Sequence, residues 1–195
     1  MTEKEREELE FQKLWVEDFK KAKGKVRYYW QRYRYLDTIL EKCKIDDWST
    51  ILDIGSGISS VLHFLPGTKI ALDPLMEDYQ NLYDFPDSWI LLNLKAEDLN
   101  AEAHEELFDV VFCSNALDHT ESPEKAMENI YRILKPGGYF VLTVQVFLEE
   151  GKRNEAHPHS LTYFRIFELL LATAIFNPSL SGSLPYPFDI LLRIS

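Results

Sequence analysis

Five short runs of large apolar residues recur through the middle of this chain, and they constrain its fold more than any other feature. "TILDI", "KIALD", "SWILLNL", "FDVVFC" and "GYFVLTVQVF" are strand-sized and rich in Ile, Leu, Val and Phe, as expected of strands buried on both faces. Between them lie pieces with a helical texture, "SSVLHFL", "LMEDYQNLY" and "SPEKAMENIYRIL". The last has clear end signals: Ser122 as N-cap, Pro123 and Glu124 in the first turn, and "KPGG" as a stop. Alternating strands and helices predict right-handed crossovers and an α/β fold, an open, mostly parallel sheet with helices on both faces.

The flanks read differently. From Phe11, large or apolar residues recur at Trp15, Phe19, Ala22, Val26, Tyr29, Tyr33, Leu36 and Leu40, steps of three and four that trace one helical face. They predict helix from about residue 3 to 43, broken near Gly24, as a helical cap (1–45) on an α/β core (46–195). After the fifth run, "HPHSLTYFRIFELLLATA" reads as a helix. A Pro- and Gly-bearing segment and "FDILLRIS" then read as two more strands, seven in all. At 195 residues and 46% hydrophobic content, one well-cored domain is expected.

Composition narrows the function classes. No apolar run approaches the roughly 20 residues that span a bilayer, and the start "MTEKEREELE" is unlike a signal peptide, so a soluble, cytoplasmic protein is expected. Two cysteines, Cys43 and Cys113, suggest neither a disulfide scaffold nor a metal cluster. The formal net charge of -11 opposes bulk nucleic acid. One stretch runs the other way: Lys20, Lys21, Lys23, Lys25, Arg27, Arg32 and Arg34 are uninterrupted by acids and would suit a small anionic partner.

In such a sheet, ligands sit outside the carboxyl ends of the strands where strand order reverses. Gly55 and Gly57, in "ILDIGSGISS", follow the first strand at that place, and a turn without Cβ atoms lets main-chain N–H groups approach a ligand. Tight strand-to-helix packing would use the same glycines. The second strand ends in Asp73, about 18 residues beyond Gly55, where a carboxylate can accept both hydroxyls of a ribose. The two features together indicate a nucleoside-containing ligand, either a dinucleotide or S-adenosylmethionine.

At this point the sequence resembles the class I S-adenosylmethionine-dependent methyltransferases, in particular the small-molecule type 11 group, over roughly residues 48 to 171. "ILDIGSG", "ALD", "LKAEDL" and "FDVVFCSNALDH" are similar to the family's first four motifs in order, and "SPEKAMENIYRILKPGGYFVLTV" to the helix and strand that follow. The resemblance implies a Rossmann-like sheet and a cofactor set of Asp53, Gly55, Ser56, Gly57, Asp73, Pro74, Ala96, Glu97, Ser114 and Asn115. Asp53 would hold the methionine ammonium, and Gly55 and Gly57 the methionine part. Asp73 would hold the ribose, Ala96 and Glu97 would line the adenine, and Ser114 and Asn115 would sit near the methyl group. Two positions depart from the pattern: Ser59 stands at the third glycine, as a helix N-cap, and Lys95 replaces the aspartate before "AED".

A methyl on a sulfonium is already activated, so alignment and exclusion of water should dominate catalysis. If the acceptor must lose a proton, His119 is the best-placed base. His157 and His159 fall where acceptor pockets of the family are often built, and no metal site is expected. "SNALDH" lacks the Asn/Asp-Pro-Pro-aromatic motif of amino-methylating enzymes for adenine and glutamine, which favours a small-molecule acceptor. Two other readings stay open, a noncatalytic S-adenosylmethionine-binding module acting with a partner and a nicotinamide oxidoreductase. "KVRYYWQRYRYL", residues 25–36, is expected either to be surface helix or to close over the strand ends as a lid, its arginines favouring an anionic acceptor.

Overall fold

The computed structural model describes residues 2–21, 36–100, 102–144, 146–147, 158–159, 161–172 and 188–193. Strand β1 (Thr50–Ile54) is followed by β2 (Thr68–Leu72), helix α3 (Met76–Gln80), β3 (Trp89–Leu92) and β4 (Phe108–Ser114). Helix α4 (Pro123–Ile133), β5 (Leu134–Val144), α5 (Tyr163–Ala172) and β6 (Phe188–Arg193) complete the core, and α1 (Glu3–Lys21) and α2 (Leu36–Cys43) precede it. The sheet order is β3-β2-β1-β4-β5-β6, with β1 to β5 parallel and β6 antiparallel to β5. The order in which strands are added reverses between β1 and β4, which opens the crevice at their carboxyl ends.

Alternate residues of each strand feed two cores. Leu52, Ile54, Leu72, Val111, Phe140 and Leu142 pack under α4 and α5, through Met127, Ile130, Ile166 and Leu169. Ile51, Ala71, Val110, Phe112 and Val141 pack on the other face with Ile39 and Cys43 of α2 and with Val61 and Leu62. That is why these strands read as continuous apolar runs rather than alternating ones.

The mostly parallel α/β sheet expected from the sequence is present. Six strands lie among the described residues, with one of the two expected after α5; the segment of the other expected strand lies outside them. The described residues of the N-terminal segment form two helices, α1 and α2, and the break expected near Gly24 and residues 25–35 of the stretch expected as surface helix or lid also lie outside the described residues. "SSVLHFL" makes one 3-10 turn, Val61–Phe64, and its N-cap is Ser60 rather than the expected Ser59: Ser60 Oγ accepts the Leu62 N–H at 3.1 Å. A serine at Ser60 captures the first free donor, and the segment ends before an α-helix can propagate. Ser122 caps α4 as expected, accepting the Lys125 N–H at 3.3 Å, but "KPGG" lies inside β5, which begins directly at Leu134.

Candidate cofactor site

The loop after β1 curls back over β2, so that the Gly55 and Ser56 N–H groups both donate to the Leu72 carbonyl, at 2.8 and 3.2 Å. Two close approaches explain the missing side chains. Gly55 has φ +64°, and a Cβ there would lie 2.2 Å from the Ala116 Cβ, on the loop after β4. Gly57 has φ +52°, and its Cβ would lie 2.8 Å from Nε2 of Gln12 on α1. Both glycines therefore serve contacts within the protein, and Gly55 also borders open space.

That space is a cavity of about 760 Å³ at the strand ends, within the range of small-molecule and cofactor sites. Gly55, Asp73, Pro74, Ala96, Glu97, Asn115 and His119 all line it, although they come from loops after four different elements. Asp53, Ser56, Gly57 and Ser114 stand behind this lining. The sequence reading missed the opposite wall: Thr2, Glu5, Glu7, Glu8 and Phe11 at the start of α1. Nothing in the one-dimensional pattern of its acidic first turns says that they face the crevice. His159 lines the cavity, its Nε2 3.3 Å from the Glu121 carbonyl, while His157 lies outside the described residues.

Asp73 is buried at the end of β2, and each of its oxygens is oriented by one main-chain donor: Gly57 N–H to Oδ2 at 3.1 Å and Leu75 N–H to Oδ1 at 3.0 Å. Burial pushes its carboxyl up to about 6 against the pull of these two bonds, and Glu8 pushes it the same way. Asp53 is also buried. Its Oδ2 accepts the Ser60 hydroxyl at 2.6 Å, but Oδ1 has no hydrogen-bond partner. Burial pushes Asp53 up to about 7, opposed by Ser60 and the Val61 N–H and reinforced by Asp73. Ser114 Oγ is a second buried atom with no hydrogen-bond partner. Asn115 sits in the left-handed region, φ +51°, with its N–H donating to the Thr143 carbonyl at 2.6 Å, a conformation that asparagine tolerates better than most residues.

At the other end of the cavity, Glu97 uses its carboxylate structurally: Oε1 accepts the N–H groups of Glu121 and Ser122, at 2.5 and 3.1 Å, at the entrance to α4. Asn129 of α4 donates to the carbonyls of Ala96 and Glu97, at 2.9 and 3.1 Å, and so fixes the turn Ala96–Asp98. Lys95 reaches across to Glu121 at 2.6 Å, which explains how a cation is accommodated where the family pattern has an aspartate. His119 ends the turn Leu117–His119, its N–H donating to the Ala116 carbonyl at 3.0 Å. Among the described residues, no group of three or more His, Cys, Asp or Glu could hold a metal ion, and no helix is long and apolar enough to cross a membrane. Cys43 and Cys113 are buried thiols, and burial pushes Cys43 up to about 12.

Residues 52–142 match the family described as methyltransferase domain. Over 86 residues the chain is 35% identical to the tRNA U34 carboxymethyltransferase of Helicobacter acinonychis, a match covering 44% of the chain and 32% of that protein's length. The chain thus spans about a third of this curated relative. Among solved structures, it superposes with TM-score 0.63 on the 1,6-didemethyltoxoflavin-N1-methyltransferase of Burkholderia thailandensis, determined with 1,6-didemethyltoxoflavin and S-adenosylhomocysteine bound. That match has 19% identity and covers 95% of this chain and 89% of the other. A methyltransferase from Haloferax volcanii, described as putative and solved in complex with the Trm112 methyltransferase activator, matches with TM-score 0.61 and 16% identity, over 94% of this chain and 96% of the other. The chain has the class I methyltransferase fold. The family match, residues 52–142, covers just under half of the chain.

Proposed function

We propose that this protein is an S-adenosylmethionine-dependent methyltransferase acting on a small molecule. The observation that supports it most is Asp73. Both of its oxygens are oriented by main-chain donors at the edge of a cavity of about 760 Å³, and each keeps accepting capacity for a ribose hydroxyl. The residues fit the cofactor in a second respect, because Asp53 Oδ1 is a buried acceptor without a partner and an ammonium group would supply one. On this reading Asp53 and the loop at Gly55 hold the methionine end, Asp73 the ribose and the Ala96–Glu97 turn the adenine.

The cofactor supplies an activated methyl group when bound. The chain's own work is to orient the acceptor in line with the S–CH3 bond and to keep water out, a task for Phe11, Leu75 and Tyr79 in the cavity wall. His119 also lines the cavity, and its proposed role is to take a proton from the acceptor. His119→Ala is then expected to lower kcat about a hundredfold, flatten the acid limb of the pH–rate profile and leave cofactor affinity within about twofold.

The relative's name raises a second reading, transfer of a carboxymethyl group to tRNA. The net charge of -11 and the Glu5, Glu7 and Glu8 wall oppose both a polyanionic acceptor and a carboxylated donor. The acidic wall is also unfavourable to the anionic acceptor expected from Arg27, Arg32 and Arg34, which lie outside the described residues. Methyl-labelled S-adenosylmethionine, incubated with the protein and separate panels of small amines, phenols, carboxylic acids and bulk tRNA, tests the proposal. Label in one small-molecule class is the expected result. Label in tRNA alone would overturn the small-molecule reading, and no transfer to any panel, with the cofactor bound, would favour the noncatalytic module.

A further inference from the structure

Gln12 is a polar residue with 6% exposure, buried where α1 crosses the loop after β1. Its Oε1 accepts the Ile58 N–H at 3.1 Å, and its Nε2 donates at 2.8 Å to Oε1 of Glu8, one turn back on the same helix. Gly57 accommodates the carboxamide, since any Cβ there would fall 2.8 Å from Nε2. An apolar cluster surrounds the contact: Val16 of α1 packs with Ile58, Leu75 and Tyr79, and Leu9 lies half-buried beside them. The two donors that orient Asp73 belong to Gly57 and Leu75, so α1 grips the chain next to both. Glu8 and Phe11 line the cavity while Gln12 does not, so the carboxamide leaves the space for a ligand open.

We propose that Gln12 is a positioning residue for cofactor binding, fastening α1 to the Gly57–Ile58 peptide so that the Gly57 N–H is held on Asp73. This rests on the S-adenosylmethionine reading and extends it, because α1 becomes a built wall of the site rather than a cover over it. Ile58 is fully buried, so no water replaces Gln12 as the acceptor for its N–H without local opening. Glu8 has a defined part: it holds the carboxamide in the rotamer that presents oxygen, not nitrogen, to Ile58.

The test uses the full chain with S-adenosylmethionine as the probe. Gln12→Met keeps the length of the side chain and removes both polar atoms. It is expected to weaken calorimetric affinity about tenfold and to speed hydrogen exchange at the Ile58 amide, with the amides of β1 unchanged. Unchanged affinity in Gln12→Met, or a loss of affinity with the Ile58 amide still protected as in wild type, would overturn the positioning role. A wild-type chain that binds no S-adenosylmethionine would instead overturn the cofactor reading and take this role with it.

Discussion

Replacing Asp73 with alanine should weaken S-adenosylmethionine binding by about a hundredfold or more. Two charge-assisted hydrogen bonds to a ribose are each worth roughly 1.5 to 3 kcal/mol, and a factor of ten in affinity takes about 1.4 kcal/mol. The same substitution leaves the Gly57 and Leu75 N–H groups without their acceptor, so some stability is lost as well. Asp73→Asn separates the two effects. Its remaining oxygen can still accept one of these N–H groups, while a single neutral acceptor cannot reproduce the bidentate grip on a diol. Calorimetry on both variants, with thermal unfolding to establish that each is folded, reads the result. Unchanged affinity in folded Asp73→Ala would remove Asp73 from the site.

The second large effect is on pH. Asp53 is pushed up to about 7 and Asp73 to about 6, in both cases chiefly by burial. Between the unfolded value near 4 and these folded values, the native state holds protons that the unfolded chain has released. The contribution of these two groups to stability is therefore most favourable below about pH 4. It declines as pH rises and is fully lost above about pH 7, a change on the order of a few kcal/mol at about 1.4 kcal/mol per unit. A ligand that brings an ammonium to Asp53 Oδ1 favours the ionised form. Cofactor binding should thus release a proton near neutrality and strengthen between pH 6 and 8. The check is a series of Tm measurements from pH 4.5 to 7.5 on wild type and Asp53→Asn, with calorimetry in buffers of different ionisation enthalpy. The variant should reduce the pH dependence of Tm to the part that Asp73 carries and diminish the proton release. Equal slopes and no proton release in wild type would show that Asp53 is ionised throughout.

Much of the site was legible because it is local. An apolar strand, a glycine-bearing turn and a carboxylate at the next strand's tip are all specified by neighbours in sequence, and Gly55, Asp73, Ala96, Asn115 and His119 converge on one cavity accordingly. The reason for the glycines was less accessible. Gln12 is 46 residues from Ile58, and Ala116 meets Gly55 across the β1–β4 pair, so neither approach leaves a mark on the pattern around the glycines. The same holds for Asn129 behind the Ala96–Asp98 turn, and for the acidic start of α1, whose side of the helix is set by tertiary docking of Leu9 and Val16. The basic, aromatic stretch drew attention by composition alone, and it lies outside the described residues. Glu97, expected beside the adenine, lines the cavity, and its Oε1 also accepts at the entrance to α4 from Glu121 and Ser122, 24 and 25 residues away, partners that the sequence around it does not reveal.

The central claim is that a methyl-donor cofactor binds where β1, β2 and β4 end. Titrating the isotopically labelled full chain with S-adenosylmethionine, and reading backbone amide shifts residue by residue, tests it most directly. The account predicts saturable shifts concentrated at Gly55, Gly57, Asp73, Leu75, Ala96 and Asn115, with little change at Trp48 or Lys135 on the opposite end of the sheet. Saturation by NAD with none by S-adenosylmethionine, or shifts confined to the Trp48 and Lys135 end, would contradict it.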